Sequence, residues 1–400
     1  MNDLHHLNVI LSLRLKVQQG LPIRVAFFVA FDSVFPGRNV MREMAKDPHF
    51  KPCIVLIPDL LRGEENMKEQ IKKSEESFKI LGVPVYKTYH EEINRFVDIT
   101  DQFDLICMSN PYEFLTHPLY TLGNISTKNA LPFYIEYTYA LFKYNTNVNT
   151  KLHMQNFWRI YLNTKNGHNE MKTQSELPWS NCKFTGYTKM DSIVKRESKN
   201  IKSKQIIIAL HHTILPNNDL NLGSFLEFAE TYQRLPEIYP DIEFIFRPHP
   251  LLLQKIDEYK ALGEISAKEY FRKLVSENKN CSFSNEADYF ELFAASDAMI
   301  HDCGSFTAEY LHTGNPVCFA KSKRTDFSRE MSETGMGCIN QHYIAESFDD
   351  MKFFIDEIVI RGRDHLKDSR EKFFRNELEA ANRNPSQIII EDIKKTLLLN

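Results

Sequence analysis

No run of apolar residues in this 400-residue chain approaches the roughly 20 that a membrane-spanning helix requires; the longest, at 25–31 and 205–210, suit buried strands. Cysteine is sparse and scattered. The seven residues, at 53, 107, 182, 281, 303, 318 and 338, are odd in number and form no CxxC pair or tight Cys/His cluster, which predicts a reduced, cytosolic chain without structural zinc. Glycine (14) and proline (17) are too few for a fibrous or disordered class. A basic excess is also missing: the formal charge of -4 and pI near 6.4 give no field to gather nucleic acid. The stretch 7–15 carries Arg14 and is followed by Lys16, Gln18 and Gln19 instead of a small-residue cleavage site, so no signal peptide is expected. The same stretch, extended to residue 17, predicts an amphipathic helix packed on its own domain, with the cytoplasmic face of a membrane as the alternative resting place. No short repeat and no low-complexity tract interrupts the chain.

What is present is a chain able to build a large core, 42% hydrophobic and 12% aromatic, and long enough for two or three domains. Strand-like and helix-like segments alternate twice. In the first half, strands are predicted at 23–31, 52–57, 83–86, 104–108 and 131–139, with helices at 39–47, 64–81 and another between 86 and 104. The charged segment 195–204 lacks apolar periodicity and suits a linker. A second series then runs through strands at 205–210, 242–247, 281–283, 298–301 and 317–320. Helices are predicted at 222–239, ending near 278, at 288–295, at 305–312 and from 351 onward. The pattern predicts an α/β chain of two doubly wound domains, 1–194 and 195–400, with ligands at the carboxyl ends of the strands and in a cleft between them.

Three of those strand ends carry chemistry. The strand 298–301 runs into Asp302, Cys303, Gly304, Ser305, Phe306 and Thr307, with Glu309 one turn on. A short loop opening a helix with small hydroxyl-bearing residues offers backbone amides and hydroxyls to a phosphate, and Gly304 permits close approach. A plain helix cap at Ser305 is the structural alternative, and Glu309 suits either a ligand hydroxyl or the capping network. The strand 242–247 ends in Arg247, Pro248, His249 and Pro250, a stiff loop with a guanidinium for phosphate oxygens and an imidazole for hydrogen bonding or proton transfer. The strand 205–210 ends in His211, His212 and Thr213. Adjacent residues of a strand point to opposite faces, so one imidazole is expected at the ligand, His212 being preferred, and a shared metal ion is not expected.

The order of these motifs resembles that of the CDP-glycerol glycerophosphotransferases, the teichoic-acid polymerase-like enzymes of the GT-B fold. Gly186, Tyr187, Thr188, Lys189, Met190 and Asp191 look like that family's Gly-Tyr-Pro-Arg-x-Asp. The segment at Arg247 to Pro250 is similar to its His-Pro motif, and the stretch from Ser296 and Asp297 to Glu309 is similar to its Ser-Asp…Asp-x-x-Ser-x-x-x-Glu segment. The resemblance covers about residues 180–325. It implies two Rossmann-like domains, the first binding an acceptor and the second a nucleotide donor. It also implies transfer of glycerol phosphate from CDP-glycerol to a hydroxyl of a cell-surface polymer or glycolipid, with Arg247, His249 and Ser305 near the donor phosphates.

The family's Trp-His-Gly-Thr motif, whose His is the proposed base, has no counterpart. The corresponding strand reads Tyr134, Ile135, Glu136, Tyr137, Thr138, Tyr139, leaving Glu136 as a candidate base or as a buried carboxylate paired to an arginine. Catalysis is thus expected from His249, Glu136 and His212. Donor binding is expected from Arg247, His211, Asp302, Gly304, Ser305, Phe306, Thr307 and Glu309. No cofactor and no metal are expected, since no paired-aspartate motif sits at a strand end of the second half. The alternatives are a nucleotide-sugar transferase using the same pocket and a non-catalytic sugar-phosphate binding protein. A dehydrogenase has little support, because no Gly-x-Gly-x-x-Gly follows the first strand, and is set aside.

Overall fold

A computed structural model describes residues 2–32, 35–110, 112–144, 152–173, 180–193, 203–215, 220–284 and 289–399. Most of the segment read as a linker, up to residue 202, and the predicted helix start at Asp288 lie outside these residues. The chain divides into two units. Unit 1 comprises Met1–Tyr139, Tyr144–Asp191 and Asn376–Asn400; unit 2 comprises Ala140–Lys143 and Ser192–Arg375. The last 25 residues, which the sequence pattern assigns to the second half, therefore pack with the first.

Unit 1 holds strands β1 (Ile23–Val29), β2 (Phe50–Leu56), β3 (Val85–Lys87), β4 (Tyr89–His90), β5 (Arg95–Phe96), β6 (Leu105–Met108), β7 (Leu131–Ile135), β8 (Arg159–Leu162) and β9 (Cys182–Phe184). Seven of them form one sheet in the order β3-β2-β1-β6-β7-β8-β9, and every pairing is parallel. The alternation of a strand buried on both faces is visible in β1. Ile23, Val25, Phe27 and Val29 join one core, while Ala26 and Phe28 join the other. Between β3 and β6 the chain forms the small antiparallel pair β4–β5 and 3₁₀ turns, not the helix expected there. The reason is local: Asn94 adopts a left-handed conformation (φ 49°) and turns the chain back on itself.

The N-terminal helix Asn2–Gln18 buries Val9 and Leu13 in the unit 1 core, as a packed helix should. Beside it lies the C-terminal helix Pro385–Leu397, which buries Ile389, Ile393 and Leu397 in the same core. The segment 186–191 secures that last helix. Gly186 adopts φ 82°, and a Cβ there would come within 3.1 Å of the Leu378 carbonyl. Asp191, whose carboxyl burial pushes up to about 7, accepts hydrogen bonds from the amide and hydroxyl of Ser386 in the first turn of the helix. The motif that resembles the start of a donor domain thus belongs to unit 1 and docks the returning chain.

Unit 2 holds β10 (Lys204–Leu210), β11 (Ile242–Pro248), β12 (Cys281–Phe283), β13 (Ala298–His301), β14 (Val317–Ala320) and β15 (Tyr343–Ala345), all parallel in the order β12-β11-β10-β13-β14-β15. Numbered within the unit, that order is 3-2-1-4-5-6, the doubly wound dinucleotide-binding arrangement, and its direction of winding reverses between β10 and β13. The helices Phe225–Ile238 and Ala267–Glu277 supply Phe225, Phe228, Leu235, Phe271 and Leu274 to the core over this sheet. Strands β8, β9 and β15 were not anticipated from the sequence; each is only three or four residues long.

Candidate functional site

Parallel register brings the three motif-bearing strand ends of unit 2 to one edge. Leu210 pairs with Pro248, and Ala209 pairs with His301, so β11, β10 and β13 end side by side. Backbone bonds continue past the ladder: the His249 amide donates to the Leu210 carbonyl at 2.8 Å and the Asp302 amide to that of Ala209 at 3.2 Å. This edge is the winding reversal of the sheet, where ligands of doubly wound domains bind.

Asp302 ties the edge together. It is fully buried; one carboxylate oxygen accepts from the His211 amide and the other from both the amide and the hydroxyl of Ser224. Burial pushes this carboxyl up to about 7, against those donors, which hold it down. Asp302, expected at the donor phosphates, is thus turned inward onto the protein.

Beyond it, the loop at Gly304 and Ser305 presents backbone donors. Among the described residues, the amides of Gly304 and Ser305 have no acceptor within the chain, and the Ser305 side chain is exposed and makes no helix cap. A plain capping role for Ser305 is therefore not what the geometry shows. A Cβ on Gly304 would lie 3.0 Å from the Phe142 ring, so the missing side chain also makes room for the unit 2 segment Ala140–Lys143. Thr307 differs from the expectation: it is fully buried and its hydroxyl donates to the Cys303 carbonyl at 3.0 Å, shaping the loop. The helix opened here is α-helical only over Phe306–Glu309 and continues as a 3₁₀ turn, Tyr310–Thr313, so the loop amides count for more than a macrodipole.

Behind the loop sits a buried pair of imidazoles. His301 Nδ1 accepts from the Cys303 amide, and its Nε2 lies 3.1 Å from Nε2 of His342, whose Nδ1 faces the Cys338 carbonyl. All three contacts are satisfied when both rings are neutral, His301 donating through Nε2 and His342 through Nδ1, and burial drives both pKa values down.

Arg247 leaves β11 half-buried. Its guanidinium lies 5.1 Å from the centre of the Tyr289 ring and donates to the Ser284 hydroxyl at 3.1 Å. The Tyr289 hydroxyl in turn donates to Glu309, which is 2% exposed. Glu309 therefore orients Tyr289, and Phe306 packs between Tyr289 and Phe293 at 5.1 and 5.0 Å. Ser284 and Tyr289 were not anticipated; no spacing rule marks an aromatic that lies 42 positions beyond the arginine it supports.

The imidazoles depart most from expectation. The chain leaves the extended conformation after Leu210, so strand alternation no longer separates His211 from His212. Their ring centres are 4.3 Å apart, with His249 at 4.4 Å from His212 and 5.9 Å from His211. His249 caps the helix Pro250–Glu258 by accepting the Leu251 amide on Nδ1, which leaves the proton of its neutral ring on Nε2. His211 Nδ1 faces the Thr213 hydroxyl at 2.8 Å, and His212 Nδ1 is buried without a partner. Burial pushes His211 down to about 3 and His249 to about 4 and also lowers His212; neighbouring imidazoles reinforce the shift in the first two and Lys255 in the third. Among the described residues no group of three or more His, Cys, Asp or Glu is disposed to hold a metal ion.

Glu136 lies in unit 1, just past β7. It is buried, and its Oε2 accepts from the amide of Asn163, which follows β8. No helix among the described residues is long and apolar enough to cross a membrane.

No protein-family model and no curated protein matches the sequence. Solved structures do match over nearly the whole chain. The wall teichoic acid polymerase TagF, soaked with CDPG, aligns with a TM-score of 0.58 at 12% identity, covering 94% of this chain and 89% of that one. UDP-GlcNAc 2-epimerase from Neisseria meningitidis, bound to UDP-GlcNAc, aligns at 0.58 and 15% identity over 95% and 100% of the two chains. The S. aureus MnaA–UDP structure aligns at 0.55 and 14% identity over 94% and 98%. The chain has the GT-B fold. At these identities the likeness is one of architecture.

Proposed function

We propose that the protein is a GT-B transferase whose unit 2 binds a nucleotide diphosphate donor, and that it moves glycerol phosphate, or a related polyol phosphate, from a CDP-activated donor to a hydroxyl of a cell-surface polysaccharide or glycolipid. The observation that carries this reading is the strand-end edge itself: Arg247, three imidazoles and the unpartnered amides of Gly304 and Ser305, all at the winding reversal of one parallel sheet. Arg247 and the loop amides hold the diphosphate, and the Ser305 hydroxyl adds a further donor. The acceptor oxygen attacks the phosphorus bearing glycerol; the new O–P bond forms as the bond to CMP breaks, and CMP leaves with the electron pair. His249, with its proton on Nε2, donates to the leaving phosphate, and His212, whose Nδ1 has no partner, accepts the acceptor's proton. Glu136 is assigned to supporting the first sheet through Asn163.

A second reading has its own support, because the UDP-GlcNAc 2-epimerase neighbours bind UDP-linked sugars. In it the same residues hold a UDP-sugar and the bond broken is at the sugar carbon. Calorimetric titration with CDP, CMP, UDP and GDP separates the two. Cytidine selectivity is expected, with Arg247→Ala weakening binding about 10–100-fold, the value of a charge-assisted contact of about 1.5–3 kcal/mol, and Ser305→Ala weakening it less. A preference for UDP moves the assignment to a sugar donor. Absence of heat with every nucleotide removes the site assignment altogether.

A further inference from the structure

The three imidazoles of unit 2 form an arrangement that ordinary histidines do not. His211, His212 and His249 come from two adjacent strand ends and lie within 4.3–5.9 Å of one another, and the Arg324 guanidinium donates to the carbonyl of Thr213, whose hydroxyl meets His211. Lys255 approaches His212 from the helix Pro250–Glu258, Asp302 contacts His211 only through its backbone amide, and Arg247 stands on β11 beside them. His211 and His249 each have Nδ1 turned to a local partner, so their Nε2 edges are the ones left for a ligand.

We infer that a nucleotide diphosphate binds to these imidazoles together with a proton taken from solvent, so that donor binding weakens as pH rises. The inference rests on the nucleotide-binding reading of unit 2 and goes beyond it. In the free protein, like charges on rings this close repel, and burial penalises any charge, so the cluster is neutral near pH 7. A diphosphate reverses the local field. An anion within about 4–6 Å raises the pKa of a base by about 1–3 units, which carries a ring such as His249 from about 4 toward the range 5–7. One shared positive charge is then favourable, and a second is opposed by the first. The sign follows from linkage: the complex holds more protons than its parts wherever the bound pKa exceeds the free one. Affinity is therefore greatest below the free pKa, falls by at most about tenfold per pH unit for one proton as pH rises from the free pKa to the bound one, and levels off above it.

The test is calorimetric titration with CDP-glycerol and with UDP-N-acetylglucosamine at pH 6 and pH 8, each in two buffers of different ionisation enthalpy. Both phosphates of these diesters stay ionised across this range, so any proton taken up belongs to the protein. Whichever ligand binds is expected to take up about 0.3–1 proton at pH 6 and close to none at pH 8. The variants His249→Asn, which keeps an acceptor for the Leu251 amide, and His212→Gln are expected to lose at least half of that uptake. Binding with no uptake at pH 6 overturns the inference. So does full uptake that persists at pH 6 in a variant carrying both changes together with His211→Gln, which would place the proton outside the imidazole cluster. Absence of binding by both ligands and by inorganic pyrophosphate instead overturns the nucleotide-binding reading, and the inference with it.

Discussion

Truncation after Arg375 is expected to unfold unit 1 while unit 2 keeps its own cooperative melting. The returning helix Pro385–Leu397 places Ile389, Ile393 and Leu397 in the first core with no exposure at all. Each such side chain is worth about 1.5–3 kcal/mol when fully buried, so the three together contribute about 5–9 kcal/mol, comparable with the whole stability of a typical domain. Polar ties are lost as well. Arg159, Lys183 and the Tyr161 hydroxyl all meet Asp392, Lys394 pairs with Asp47, and the Arg14 guanidinium reaches the Thr396 carbonyl. Removing Asp392 alone leaves the buried Tyr161 hydroxyl without its acceptor. Scanning calorimetry and limited proteolysis of the truncated chain read the result. Rapid digestion of residues 1–191 with a surviving fragment near 203–375 is expected. Retained protection of the first segment would show that the returning helix is dispensable.

The second large effect is expected from Asp302→Ala. The substitution strands the His211 amide and both donors of Ser224 in a region where Ser224 has no exposure. A buried donor left without an acceptor costs about 1–3 kcal/mol, so the variant is expected to lose about 3–5 kcal/mol of unit 2 stability. Nucleotide binding should fall with it, because the same contacts hold the β10 and β13 ends in register. The pH dependence has a definite sign. With the carboxyl raised in the folded state to about 7, its contribution to stability is fully present below about 4 and is lost as pH rises through about 7. His211 and His249, lowered in the folded state, act in the opposite direction, losing their contribution as pH falls below about 6.5. Urea unfolding at pH 5 to 8 of the parent and Asp302→Asn isolates the carboxylate. The parent's advantage should shrink as pH rises; a constant difference would show that Asp302 does not titrate in this range.

Much of this architecture was legible in the chain. Buried parallel strands read as short apolar runs, and β13 and β14 begin and end at the residues the pattern predicts, as does the more exposed strand β12. The strand ends at His211, Arg247 and Asp302 were legible too, since polar residues that interrupt an apolar run mark where the chain leaves the sheet. Mixed strands were not: β8 opens with Arg159 and β9 contains Lys183, both drawn to Asp392 from a helix more than 200 residues away. No local window contains that partner.

The site divides in the same way. Local sequence determined which residue types stand at the three strand ends, because strand periodicity and turn chemistry act over a few residues. That His249 caps the helix Pro250–Glu258 was found only in the structure. Only the tertiary structure decided that Asp302 and Thr307 face inward, that Glu309 is taken up by Tyr289, and that the three imidazoles form one cluster. It also decided that residues 376–400 belong to the first unit. Those outcomes depend on the sheet order β12-β11-β10-β13-β14-β15 and on the register of β10 with its two neighbours. Pairing between segments 40 to 90 residues apart is settled by the burial of whole faces, which no short stretch of sequence encodes.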